Sequence, residues 1–201
     1  MNILNASANE IKKCIEESIV DDGFIDKHLY FPCINTIKHV KLKVIDDKTI
    51  YGPITMFLIN WGIMGRVLNR KDKKGWEKRL QNKISELSEL LEKFRRMNFE
   101  NKDFEKFESE IKKCYGEISE IVGPTSASKT LHIICPSFFP MWDESIRERT
   151  GVTASRKGYF LFMKKNSEFI DQRPILFDLS EKYNKTVLKI VDEFFWNSTR
   201  D

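Results

Sequence analysis

"GPTSASKTLHIICPSFFPMWDESIRE" occupies residues 123–148. A Gly-Pro pair ends one helix, and Thr125, Ser126 and Ser128 crowd the start of the next. An apolar run follows, two prolines break the chain, and one carboxylate, Asp143, stands directly behind Phe138, Phe139, Pro140, Met141 and Trp142. A carboxylate among such neighbours needs a partner, a cap to make or a reaction to assist. The pattern predicts a helix over 126–135, N-capped by Thr125 or Ser126, buried through Leu131, Ile134 and Cys135 and stopped by Pro136. Such a helix start presents unpaired N–H groups and partial positive charge. It is therefore also an anion site, and Lys129 one turn in adds a full charge. Asp143 falls at the N-cap of a further helix, "ESIRER". Capping and facing a substrate are compatible roles, because the cap fixes the side chain.

Working outward, Trp76, Leu80, Ile84, Leu87, Leu91, Phe94 and Met97 recur at helical spacing, as do Phe104, Phe107, Ile111, Tyr115 and Ile118. They predict an antiparallel helical hairpin over 76–121 with a solvated charged face. Helices are also predicted over 8–20, 53–69, 156–170 (capped by Ser155) and 180–196. The stretch 53–69 is apolar nearly all round and is expected to be central, with Gly62 and Gly65 admitting a close neighbour. Alternation of apolar and basic residues over 39–51 fits a short β-hairpin, with a helix as the alternative. The fold class is all-α, in one domain over 1–201, with at most that one small hairpin.

Hydrophobic content of 41% with 15 Phe and 4 Trp in 201 residues marks a globular chain with a real core. Charge is dense, at 32%, yet the net is only +4, so charge alone does not announce nucleic acid. Much of the excess lies in 66–79, where Arg66, Arg70, Lys71, Lys73, Lys74, Lys78 and Arg79 face only Asp72 and Glu77. That stretch is read either as a solvated loop or as a phosphate-facing patch. The four cysteines have no metal spacing, and no P-loop or His/Asp/Glu cluster occurs, so neither metal nor cofactor is expected. The longest apolar run, "ITMFLINWGIM", has 11 residues, too few to span a bilayer, and the charged N-terminal segment does not read as a signal peptide. A cytoplasmic protein with reduced thiols and no membrane contact is expected.

The order helix, Gly-containing turn, helix with small residues, then Phe-Pro-apolar-apolar-Asp-x-x-apolar-x-Arg resembles the core of the helix-hairpin-helix DNA glycosylases. "IVGPTSA" (121–127) is similar to the end of that family's hairpin, and "FPMWDESIR" (139–147) to its aspartate segment. The resemblance covers residues 121–147, within a core of 121–150. It implies that backbone amides near Gly123, Thr125 and Ser126 hold a DNA phosphate. It also implies that Asp143 is the catalytic carboxylate, stabilising a positively charged sugar as a base leaves. A flipped base would sit against His132, Trp142 and Trp61. Arg66, Arg70, Lys73, Lys74, Lys129, Arg147, Arg156 and Lys157 would rim the DNA cleft. Ile121 and Glu120 stand where the family has glycine and proline, and Thr125 stands where bifunctional members carry a nucleophilic lysine. The implied activity is therefore monofunctional, on double-stranded DNA. The alternative is a non-enzymatic helical module that binds a protein partner through the hairpin 76–121.

Overall fold

A computed structural model gives the fold; it describes residues 3–25, 29–60, 74–101 and 103–198. Among the described residues every regular element is helical and no strand occurs. The chain opens with α1 (Ala8–Ile25), α2 (Phe31–Lys38) and a short α3 (Thr55–Ile59). Ser7 and Glu10 start α1 with a reciprocal capping box, each side chain accepting from the other's backbone N–H. A middle layer follows: α4 (Trp76–Glu86), α5 (Ser88–Arg95) and α6 (Glu108–Val122). The C-terminal half is α7 (Pro124–Ile134), α8 (Glu144–Thr150), α9 (Arg156–Asp171), α10 (Ile175–Tyr183) and α11 (Val187–Asn197).

The centre of the molecule is α7. Every residue from Ser126 to Ile134 is buried, and α2, α3 and α6 pack around it. Centrality was expected of 53–69. There, the described α3 leaves Met56 and Ile59 exposed, and residues 61–73 lie outside the described part. Gly62, Gly65, Trp61, Arg66, Arg70 and Lys73 lie there too.

The suggested hairpin at 39–51 is replaced by a 3-10 turn, Leu42–Val44, and a helical turn, Asp47–Thr49. Two local causes are visible. The Asp46 carboxylate accepts from both the N–H and the hydroxyl of Thr49, at 2.9 and 2.7 Å, which caps a helical turn. In addition, α4 side chains take up carbonyls that a partner strand would need: Gln81 donates to Ile45 and Ser85 to Lys43. The buried residues Leu42 and Ile45 are three apart, the spacing of a turn of helix and not of a strand.

The helix expected over 76–97 bends at Leu87 (φ −88°, ψ 4°) into α4 and α5, yet Trp76, Leu80, Ile84, Leu87, Leu91 and Phe94 all face inward. Its partner begins as a 3-10 segment, Asp103–Phe107, before α6. These helices do not stand apart as an arm, since α6 packs on α4, α7 and α9 at once. The helix expected over 180–196 is two helices. Asn184 turns left-handed (φ 50°) between α10 and α11, a conformation asparagine tolerates.

Candidate functional site

The junction of α6 and α7 is a single residue. α6 runs helically through Ile121 and Val122, Gly123 alone takes positive φ (85°, ψ 165°), and Pro124 begins α7. Ile121 therefore never meets the left-handed conformation that a second hairpin glycine would serve. No side chain caps α7, so the expected capping by Thr125 or Ser126 does not occur. Gly123 occupies the N-cap position, and its carbonyl accepts from Ala127.

Asp143 lies beside this helix start because Ser128 pins the aromatic loop there. The Ser128 hydroxyl lies 3.2 Å from both the N and the O of Trp142 and also donates to Thr125 O at 2.9 Å. The indole N–H of Trp142 donates to Pro124 O at 3.2 Å. The loop is anchored from below: Phe138 stacks on Phe94, Tyr159 donates to Pro140 O, and Trp142 packs against Tyr115, Tyr159 and Phe162. With extended backbone, Asp143 then caps α8, accepting from Ile146 N–H and the Ser145 hydroxyl, both at 2.8 Å. The carboxylate is half-buried. Arg147 reaches back to donate to the Thr125 hydroxyl at 3.1 Å, with its guanidinium over the Trp142 ring.

The structure thus gathers Gly123, Thr125, Asp143 and Arg147 around one helix start, whereas the Ser126 side chain, also expected to contact DNA, is fully buried. Arg156 is near the same junction, paired at 2.6 Å with Glu120 at the end of α6. Gly116 makes room for it, since a Cβ there would lie 2.0 Å from Arg156 Nε. That pair gives Glu120, otherwise repulsive toward a phosphate, a cation of its own. Lys157 and Lys74 are exposed, and Lys74 O accepts from Arg79.

Three expected positions are corrected. Lys129 is not on a cleft rim but 5% exposed, inside the protein. Trp142 and His132 are fully buried core residues and offer no open pocket wall. The imidazole of His132 is fixed on both sides: Nδ1 is 2.7 Å from Phe139 O, and Nε2 is 2.7 Å from the Tyr30 hydroxyl. A carbonyl can only accept, so the proton sits on Nδ1, and Nε2 accepts from Tyr30. Burial pushes this imidazole down to about 3, so it is neutral.

Sequence reasoning missed what lies behind Lys129. Lys189, Asp192 and Glu193 on α11 are all buried. Lys189 Nζ is 3.0 Å from Glu193 and 3.7 Å from Asp192, and Lys185 Nζ is 2.7 Å from Glu193. Lys189 also sits over the Tyr30 ring, 4.9 Å from its centroid. Burial pulls the Lys129 ammonium down to about 8, against the opposing pull of Asp192 and then Asp143. The missed signal is in "VLKIVDEFF" (187–195). Apolar residues surround its charges on every helical face, so the charges are buried with them.

Among the described residues no group of His, Cys, Asp and Glu is placed to hold a metal ion, and no helix is long and apolar enough to cross a membrane. The cysteines are free thiols. No family model, no curated protein and no solved structure matches the chain.

Proposed function

We propose that the protein binds double-stranded DNA through the α6–α7 junction and that Asp143 is the working carboxylate of a glycosylase-like site. The observation that carries this reading is the placement of Asp143. It is a cap-fixed carboxylate beside the uncapped start of a central helix, with Arg147 and Thr125 alongside. Backbone N–H groups and an arginine suit a phosphate. A fixed carboxylate on the neighbouring helix start suits the positive charge that develops on a sugar when an N-glycosidic bond breaks. Thr125 gives no amine for a Schiff base, so the chemistry would be hydrolytic. The basic stretch 66–79, of which 74–79 are described, would add phosphate contacts.

The protein-interaction alternative rests on the hairpin 76–121, whose described residues expose no large apolar side chain. The DNA reading is tested by anisotropy of labelled duplexes with charge reversal of Arg70, Lys73 and Lys74. Lost affinity supports it; unchanged affinity overturns it.

A further inference from the structure

Residues 38–45, at the end of α2 and through the 3-10 turn, hold three lysines and no carboxylate. Lys38, Lys41 and Lys43 are all exposed, with His39 and Val44 exposed beside them. Lysines elsewhere on the surface lie against glutamates: Lys83 at Glu117, Lys164 at Glu105 and Lys182 at Glu16. Among the described residues no carboxylate pairs with Lys38, Lys41 or Lys43. The carboxylates bonded to this segment are engaged otherwise, Glu92 with Arg95 and Asp46 with Thr49. We infer that the 38–45 turn is a phosphate-contacting surface for duplex DNA, built from a different part of the chain than the α6–α7 junction.

The lysines stand on a backbone that is held from behind. Leu42 and Ile45 are buried beneath the turn. From α5, Arg95 donates to the Val40 carbonyl at 3.0 Å, and Glu92 accepts from Leu42 N–H at 3.4 Å. From α4, Ser85 donates to Lys43 O at 2.6 Å and Gln81 to Ile45 O at 2.8 Å. A fixed scaffold spares the ordering cost that a loose loop meets on binding. It also narrows the partner. A peptide that adds as a strand needs free backbone groups, and these carbonyls are taken. A membrane surface needs a broad apolar face, and here Val44 stands alone among cations. Single strands are held by stacking on aromatic rings, and 38–45 contain no Phe, Tyr or Trp. What remains is a row of point charges, which suits a duplex phosphate backbone. The surface is continuous with the basic start of α4: exposed Lys78 donates at 2.9 Å to Gln81, the residue that holds Ile45 O.

The duplex as partner rests on the proposed function; the use of this turn does not depend on Asp143. The test is anisotropy of labelled duplexes, intact and abasic, over a salt series with the full chain. One variant combines Lys38→Gln, Lys41→Gln and Lys43→Gln. A control removes as many exposed charges elsewhere, by Lys12→Gln, Lys106→Gln and Lys113→Gln. All six positions are exposed, so both variants are expected to fold. The turn variant should bind more weakly and flatten the slope of log affinity against log salt by about 2–3, while the control stays near the parent. A turn variant that matches the parent, or a control that loses as much, overturns the inference and leaves the Asp143 reading in place if the abasic preference persists. A weakened turn variant, with Asp143→Asn indistinguishable from the parent on both duplexes, supports the turn and removes the Asp143 reading instead. A parent that binds phosphatidylserine vesicles through these lysines but no duplex overturns both.

Discussion

At the scale of single residues, the buried polar groups set how stability responds to pH. His132 is neutral when folded, its imidazole held down to about 3 by burial, whereas an unfolded histidine titrates near 6.5. As pH falls below about 6.5 the unfolded chain takes up a proton that the folded chain refuses. Stability is therefore lost as pH drops from about 6.5 toward 3, by roughly 5 kcal/mol at the limit. Urea unfolding across that range should show a shallower loss for His132→Gln than for the parent. Lys129 works at the other end. Its folded value of about 8 lies below that of an unfolded lysine, near 10.4, so stability rises as pH climbs from about 8 to 10.4. Lys129→Met should abolish that rise. Tyr30→Phe leaves His132 Nε2 buried without its donor and should cost about 1–3 kcal/mol at neutral pH, read from chemical denaturation.

At the scale of elements, Asp143 carries a helix cap and a charge that substitution can separate. Asparagine caps a helix nearly as well as aspartate, whereas alanine does not. Asp143→Ala should cost about 1 kcal/mol of stability, while Asp143→Asn should cost a few tenths and still lose the charge. Gly158 tests the neighbouring helix start: a Cβ there would lie 1.9 Å from the backbone oxygen of Thr153, and Ser155 caps the same turn through Gly158 N–H. Gly158→Ala should therefore destabilise by about 1–3 kcal/mol, seen as a lowered melting temperature. These elements were largely legible in the sequence. The 3.6-residue rhythm of 76–97 and 103–121, the caps at Ser155 and Asp143, and the break at Pro136 all follow from local chemistry. Residues 39–51 were not, because Gln81 and Ser85, more than thirty residues away, satisfy their backbone. The bend at Leu87 and the left-handed Asn184 likewise leave the apolar rhythm almost unbroken and so left no mark in it. Within the site, Asp143 stands out in the sequence, but its charged background does not. Lys129 feels the charges of Asp192 and Lys189 on α11, far along the chain, and spacing cannot show that.

At the scale of the whole molecule, the site is built where the two halves of the chain meet. α6 delivers Gly123, α7 runs through the core, the aromatic loop returns Asp143 to the start of α7, and α11 closes the interior with its charges. The excess of basic residues in 66–79 precedes this unit in the chain. The direct test of a DNA-processing role is fluorescence anisotropy of two labelled duplexes, one intact and one with an abasic-site analogue, over a salt series and with Asp143→Asn alongside. If Asp143 sits where an extruded sugar docks, the abasic duplex binds more tightly than the intact one. Affinity then falls steeply as salt rises, and Asp143→Asn, still folded, changes the preference for the abasic duplex. Absent binding at low salt, or equal affinity for both duplexes that Asp143→Asn leaves untouched, would contradict a glycosylase-like site at the α6–α7 junction.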